Sequence, residues 1–296
     1  MSTIPIILHP TDFSEPAGRA LNLAGSLAHR EGARLLVLHV ANTLTDAVNV
    51  LLDDPSPDRQ RQRLEQLRLE APGVPFESRL AFGAAAAEIL KTAQETGCDL
   101  IVMGTRGRKG LGRLLMGSVA EQVVRNAPCP VVTVNSPSLE PAAQAEVSSG
   151  TAAPIRTILH PTDFSGPCAE AFRVACELAG DQSARLTVVH VAVPPPVGTI
   201  NQPAPPPLPE DPRGKLEELL RLAQALAPGL QAHYRVEKGD AAPRIVGAAQ
   251  ETRCDLIVMG THGRTGLGRA LMGSVAEQVL RTAPCPVVTV KAPAKA

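Results

Sequence analysis

The feature that most constrains this chain is a 37-residue stretch that occurs twice. Residues 98–134 read CDLIVMGTRGRKGLGRLLMGSVAEQVVRNAPCPVVTV, and residues 254–290 read CDLIVMGTHGRTGLGRALMGSVAEQVLRTAPCPVVTV. The copies differ at five positions, among them Arg106 against His262 and Lys109 against Thr265. Solenoid units recur every ~20–50 residues, whereas this repeat recurs after about half the chain, so it marks two whole domains in tandem. Each copy carries an apolar run, a loop dense in glycine and basic residues, a helix opening at Gly-Ser, and a second apolar run after Pro-Cys-Pro.

The rest of each half alternates strand and helix. Residues 4–9 form a short apolar run suited to a buried strand. Ser14 suits an N-cap, Glu15 and Pro16 a first helical turn, and Gly32 a helix end. Residues 34–40 predict a second strand, which completes a right-handed βαβ unit with parallel strands. A charged amphipathic helix over 59–70 follows, then a strand at 76–81 and a helix at 84–96 ending at Gly97. A fourth strand at 99–103, a helix at 118–126 and a fifth strand at 130–134 close the half. Strands at 155–160, 185–191, 231–237, 255–259 and 286–290 repeat the pattern.

Residues 137–153 are rich in Pro, Ser, Ala and Gly, lack periodicity and read as a linker between domains at 1–136 and 154–292. Residues 193–212 are proline-rich and predict an extended surface segment. The fold class is therefore α/β, with two tandem sandwiches, each a five-stranded parallel sheet flanked by helices. Open sheets of this kind bind ligands beyond the carboxyl ends of the strands, where the strand order switches. Segments 10–14, 39–41 and 104–118 should meet there.

In Gly104-Thr-Arg-Gly107 the glycines permit close approach of backbone to a ligand. Gly117-Ser118 opens a helix, whose unpaired amides and positive dipole end favour an anion. Arg106, Arg108, Lys109 and Arg113 add mobile positive charge, and the set suits a di- or triphosphate. Ser118-Val-Ala-Glu121 also reads as a capping box, which would make Ser118 purely structural. The P-loop pattern fails, because Arg113-Leu114 stands where Lys-Ser/Thr is required, and no GxGxxG fingerprint is present.

On these residues the chain resembles the universal stress protein family in its tandem two-domain form. The family's nucleotide signature, G-x2-G-x9-G-(S/T), is matched by Gly104, Gly107, Gly117 and Ser118, and by Gly260, Gly263, Gly273 and Ser274. The PTDFS segments and the LHV and VHV strand ends extend the likeness over both halves. The resemblance implies a Rossmann-like, adenine nucleotide alpha hydrolase-like fold, with the two halves arranged as a pseudo-dimer through their VVTV strands. It also implies an adenine nucleotide (ATP, or ADP or AMP) in each half, with which Mg is compatible. Asp12 and Asp163 would face adenine and ribose, and Val40 and Val191 would meet the adenine. Arg106 and Gly107, with His262 and Gly263, would line the ribose-phosphate path. Gly117, Ser118 and Val119, and likewise Gly273, Ser274 and Val275, would take phosphates. Pro10, Thr11, Met103, Gly104 and Arg108, with Pro161, Thr162, Met259, Gly260 and Arg264, complete the implied lining. Because His262 and Thr265 replace Arg106 and Lys109, the second site is expected to hold a triphosphate more weakly.

Other chemistries fare worse. The net charge is zero and the chain has no Trp and one Tyr, which disfavours both electrostatic and stacking recognition of nucleic acid. No basic leader or ~18-residue apolar run precedes or crosses the domains, and the six cysteines form no CxxC pair, so a cytoplasmic chain without membrane contact is expected. Cys129 and Cys285 read as buried small hydrophobes. His9, His39, His160 and His190 recur at strand ends, where a His9–His39 metal pair competes with simple packing. No positioned nucleophile or paired acid accompanies Asp12. A nucleotide-dependent regulator in stress response, acting through an unidentified protein partner and open to further homodimerisation, is thus the leading reading. A slow Mg-dependent ATPase or phosphotransferase is the alternative.

Overall fold

The computed structural model describes residues 6–41, 56–67, 73–105, 116–135, 155–181, 183–192, 211–263 and 272–291. The linker, the proline-rich segment 193–210 and loop residues 106–115 and 264–271 lie outside them, and with the loops Arg106, Gly107, Arg108 and Arg264. Contacts divide the chain into one compact unit of Met1–Pro154 with Pro284–Thr289, and a second of Ile155–Ala283 with Val290–Ala296.

The first unit begins with β1 (Ile6–Thr11), α1 (Glu15–Glu31) and β2 (Arg34–Ala41). It continues through α2 (Pro57–Leu67), β3 (Phe76–Phe82), α3 (Ala85–Thr96), β4 (Leu100–Gly104), α4 (Ser118–Asn126) and β5 (Val131–Val134). Its sheet order is β3-β2-β1-β4-β5, all parallel. Val287–Thr289, contact members of this unit, run antiparallel to Val131–Thr133. The central strands are apolar and buried along nearly their whole length, as parallel strands covered on both faces must be. β3, at the edge, is only partly buried. Helix α1 shows why the sequence folds locally as it does. Ser14 caps it by accepting from the Ala17 amide, Ala20, Leu21, Ala24, Leu27 and Ala28 bury one stripe, and Gly32 ends it at φ +61°.

The second half of the sequence repeats the plan with β6 (Thr157–Thr162), α5 (Gly166–Asp181), β7 (Arg185–Ala192), α6 (Pro212–Leu226), β8 (Ala232–Lys238), α7 (Ala241–Thr252), β9 (Leu256–Gly260) and α8 (Ser274–Thr282) in the second unit, followed by β10 (Val287–Val290), most of which groups with the first. Strands β9, β6, β7 and β8 lie side by side in parallel.

Three sequence expectations change. β1 and β6 run past the predicted strand ends to Thr11 and Thr162, so Pro10 and Pro161 are strand residues and not loop residues. Gly117 and Gly273, in extended backbone at φ −67° and −64°, are the N-caps of α4 and α8. Ser118 is the first helical residue and the capping box does not form, because Glu121 turns to Arg125 at 2.6 Å. Cys129 and Cys285 are only half-buried, while Cys98 and Cys254 are buried.

Candidate functional site

The switch point lies between β1 and β4, and again between β6 and β9. Each of these ladders has only two paired positions, Ile7↔Leu100 with Leu8↔Ile101, and Ile158↔Leu256 with Leu159↔Ile257. Beyond them a histidine takes over the pairing. His9 Nδ1 lies 2.8 Å from the Val102 carbonyl, and His160 Nδ1 lies 2.8 Å from the Val258 carbonyl. A carbonyl only accepts, so Nδ1 carries the proton and donates. Both rings are fully buried, and burial lowers their pKa from 6.5 to about 4, so they are neutral at physiological pH. His39 and His190 bond the Thr11 and Thr162 carbonyls through Nδ1 at 2.7 and 2.9 Å, and pack at a tilt against Phe13 and Phe164. The repeated histidines therefore tie neighbouring strands together at the floor of each crevice, and among the described residues no group of metal-binding side chains forms.

Above this floor the second unit holds a cavity of about 260 Å³. Four segments line it: Pro161, Thr162 and Asp163 at the carboxyl end of β6; Val189 and Val191 on β7; Met259–Gly263 at and beyond the end of β9; and Gly273–Ala276 at the start of α8. These include every implied second-half residue except Arg264, which lies outside the described residues. Val189, Thr261 and Ala276, beside implied residues, line it without having been implied, and so do three helix residues farther off in sequence, Cys168, Ala241 and Ile245. The two aliphatic residues carry no functional signature in sequence, whereas Cys168 stands out only when the halves are aligned, where its counterpart is Ala17.

The walls are mostly apolar, with the polar groups at two places. Asp163 Oδ1 accepts from the Ser165 amide at 3.0 Å and from the Cys168 thiol at 3.0 Å. In the first unit the Ser14 hydroxyl fills that second role for Asp12, at 2.5 Å. Burial, then the Asp163 hydrogen bond, push the Cys168 thiol up to about 11, so it stays protonated and donates. Asp163 Oδ2 faces Gly263 so closely that a Cβ on Gly263 would stand 2.7 Å from it. The second polar place is the opening of α8. Gly273 offers no side-chain cap, and its amide is spent on Thr261 O at 2.9 Å. Ser274, Val275 and Ala276, which begin the helix and line the cavity, have amides without an intrahelical acceptor. An anion placed there would meet both these donors and the helix dipole.

In the first unit Gly117 and Thr105 are joined in the same way, with Gly117 N to Thr105 O at 2.8 Å. The PTDF turn is also the same, with Phe13 and Phe164 both at positive φ, +60° and +62°. Gly104 packs tightly on α1, where a Cβ would lie 3.1 Å from Pro16.

A model described as the universal stress protein family matches residues 3–135 and 154–291. The chain belongs to the universal stress protein family. A universal stress protein of Thermus aquaticus, from the QAH/OAS sulfhydrylase 3′ region, is 41% identical over 132 residues, covering 43% of this chain and 96% of that protein. One of Methanocaldococcus jannaschii is 37% identical over 143 residues, covering 47% of this chain and 84% of that protein. Each of these relatives thus matches about half of this tandem universal stress protein. Among solved structures, a universal stress protein from Archaeoglobus fulgidus aligns with a TM-score of 0.70 at 22% identity, over 98% of this chain and 99% of that one. A putative universal stress protein from Pseudomonas aeruginosa aligns at 0.63 and 25% identity, over 97% and 93%. No described helix of this universal stress protein is long and apolar enough to cross a membrane.

Proposed function

We propose that this universal stress protein is a nucleotide-dependent regulator that binds an adenine nucleotide, ATP in the leading case, in each half. The observation that carries the reading is the second-unit cavity, which joins an apolar slot to an uncapped helix N-terminus. A base fits between Val189, Val191, Met259 and Ile245, with Asp163 at its polar edge. The phosphates then fall on the Ser274 and Val275 amides and the Ser274 hydroxyl. Magnesium, if it accompanies the phosphates, would be held mainly by them, since the described lining offers one carboxylate, Asp163.

In the described lining Asp163, the one carboxylate, has its Oδ1 held by the Ser165 amide and the Cys168 thiol, so occupancy rather than turnover is the signal we assign to the site. Stress response and a cytoplasmic location are part of the same proposal and rest on the family. His262 stands where the first half has Arg106, and its Nδ1 is 2.9 Å from Thr261 Oγ1. The second site therefore has less cationic charge beside the phosphates and should prefer a triphosphate less strongly.

The direct test is mass spectrometry of ligand released from the denatured protein, followed by calorimetric titration with ATP, ADP and AMP. Retained or titratable adenine nucleotide without phosphate release supports the reading. A protein that is empty and binds none of the three overturns it, and magnesium-dependent turnover would move the assignment to a slow ATPase.

A further inference from the structure

At the amino ends of β4 and β5 in the first unit, Cys98 and Cys129 bring their sulfur atoms to 3.6 Å. Cys98 precedes β4 and is buried; Cys129 sits in the turn between α4 and β5 and is half-buried, so a small solute can reach it. The backbone around both is held in place. The Cys98 amide donates to Ala93 O at 3.2 Å, and the Ile101 amide to Pro130 O at 3.1 Å. A disulfide needs sulfurs about 2.0 Å apart, and the excess of roughly 1.5 Å is within the reach of side-chain rotation on a fixed backbone. The second half repeats the two residues as Cys254 and Cys285, with the same separation of 31 positions.

We propose that Cys98 and Cys129 are an oxidisable dithiol that closes to a disulfide when the protein meets a hydroperoxide. The Cys129 thiolate attacks one peroxide oxygen, the O–O bond breaks, and the departing oxygen leaves as water, or as an alcohol, after protonation. Cys129 is left as a sulfenic acid. The Cys98 thiolate then attacks the Cys129 sulfur, the S–S bond forms and hydroxide leaves as water. For hydrogen peroxide, two thiols and one peroxide give one disulfide and two waters, with two electrons passing from sulfur to oxygen. The hydrogen bond that the Cys129 thiol donates to the Cys98 sulfur, and then burial, push the Cys129 thiol up, so the reaction is slow at neutral pH and quickens as pH rises.

The disulfide would cross-link the segment that contains β4, the phosphate-side loop and α4. That segment is tied to β5 at its far end by Thr105 N to Val134 O at 3.1 Å. Cross-linking it lowers the entropy of the unfolded chain and raises the unfolding temperature of the first unit, by on the order of 10 °C.

The experiment needs no nucleotide and uses the full chain. Protein treated with hydrogen peroxide at pH 7 and pH 8.5 is blocked with iodoacetamide, digested with trypsin without reduction, and mapped by mass spectrometry. Cleavage after Lys91, Arg106, Arg125 and Arg156 puts each cysteine alone in its peptide, 92–106 and 126–156. The expected product is these two peptides joined, two hydrogens lighter than their sum, formed faster at pH 8.5, abolished by dithiothreitol, and accompanied by the rise in unfolding temperature. Cys98→Ala and Cys129→Ser each remove the product, and the wild-type map stands even if a variant folds poorly. Both cysteines alkylated after peroxide, Cys129 converted to sulfinic acid without a cross-link, or either one joined to a different cysteine overturns the proposal.

Discussion

At Gly263 the absence of a side chain is a requirement of the cavity, because a Cβ there would fall 2.7 Å from Asp163 Oδ2. Gly263→Ala should push Asp163 out of place and weaken nucleotide binding at the second site by about tenfold or more, equivalent to ~1.4 kcal/mol. The overall unfolding temperature should barely move, since residue 263 is exposed. Calorimetric titration of a form whose first site is disabled measures this, and unchanged affinity would count against the placement of Asp163. Cys168→Ala is expected to be mild. Asp163 Oδ1 keeps the Ser165 amide, and the Ser165 hydroxyl can take the thiol's place as Ser14 does beside Asp12. The loss should stay below ~1 kcal/mol in denaturant unfolding, and a larger value would mean that the thiol contributes packing the hydrogen bonds do not explain.

At the scale of the element, α4 and α8 begin on glycines that bring no capping side chain, an omission that costs each helix stability. Gly273→Asp should supply the missing cap, since residue 273 has the extended backbone of a cap and a Cβ there would make ordinary van der Waals contacts, with Thr261 O at 3.4 Å, His262 Cα at 3.8 Å and Gly263 N at 3.9 Å. The variant should gain about 0.5–1 kcal/mol in stability while losing nucleotide, because its carboxylate satisfies the amides that phosphate would use. Paired thermal melts and titrations decide it; a stabilised variant that still binds normally would place the phosphate elsewhere. This helix also shows where the sequence misleads. Ser118 and Ser274 look like caps because Glu follows three residues on, but either Gly or Ser can adopt the extended dihedrals, and the spacing does not choose between them. The sequence pattern also ends β1 too early, at His9, whereas the strand runs to Thr11. Proline ordinarily ends a central strand, yet by Pro10 the ladder to β4 has stopped and only β2 remains beside it. Proline is tolerated at such a local edge. Glycines, Asp163 and Val191 were legible in the second site because their chemistry or repetition is distinctive. Ala241 and Ile245 were not, because an aliphatic residue on a helix looks the same whether it faces core or cavity.

For the molecule as a whole, the buried histidines set the response to acid. An unfolded His takes up a proton near pH 6.5, while His9 and His160 in place do so only near pH 4. Between those values the unfolded chain binds more protons, so stability is complete above pH 6.5 and is lost as pH falls towards 4. Each histidine contributes on the order of 3 kcal/mol to that loss, against a typical domain stability of ~5–15 kcal/mol. Thermal unfolding should therefore drop steeply from pH 6.5 to 4, and His160→Asn should flatten the slope for the second unit. A melting temperature constant across that range would refute the assignment of neutral, buried rings.

The same two imidazoles carry a spectroscopic consequence. An Nδ1 proton held on a carbonyl inside a sheet and sealed from water exchanges slowly. His9 and His160 should therefore each give an isolated downfield proton resonance, one per unit. Because each ring bridges the strands at the floor of its own crevice, the two resonances report on the two units separately. Which half responds first as ligand is added could then be read from two lines in a proton spectrum, without labelling or cutting the chain.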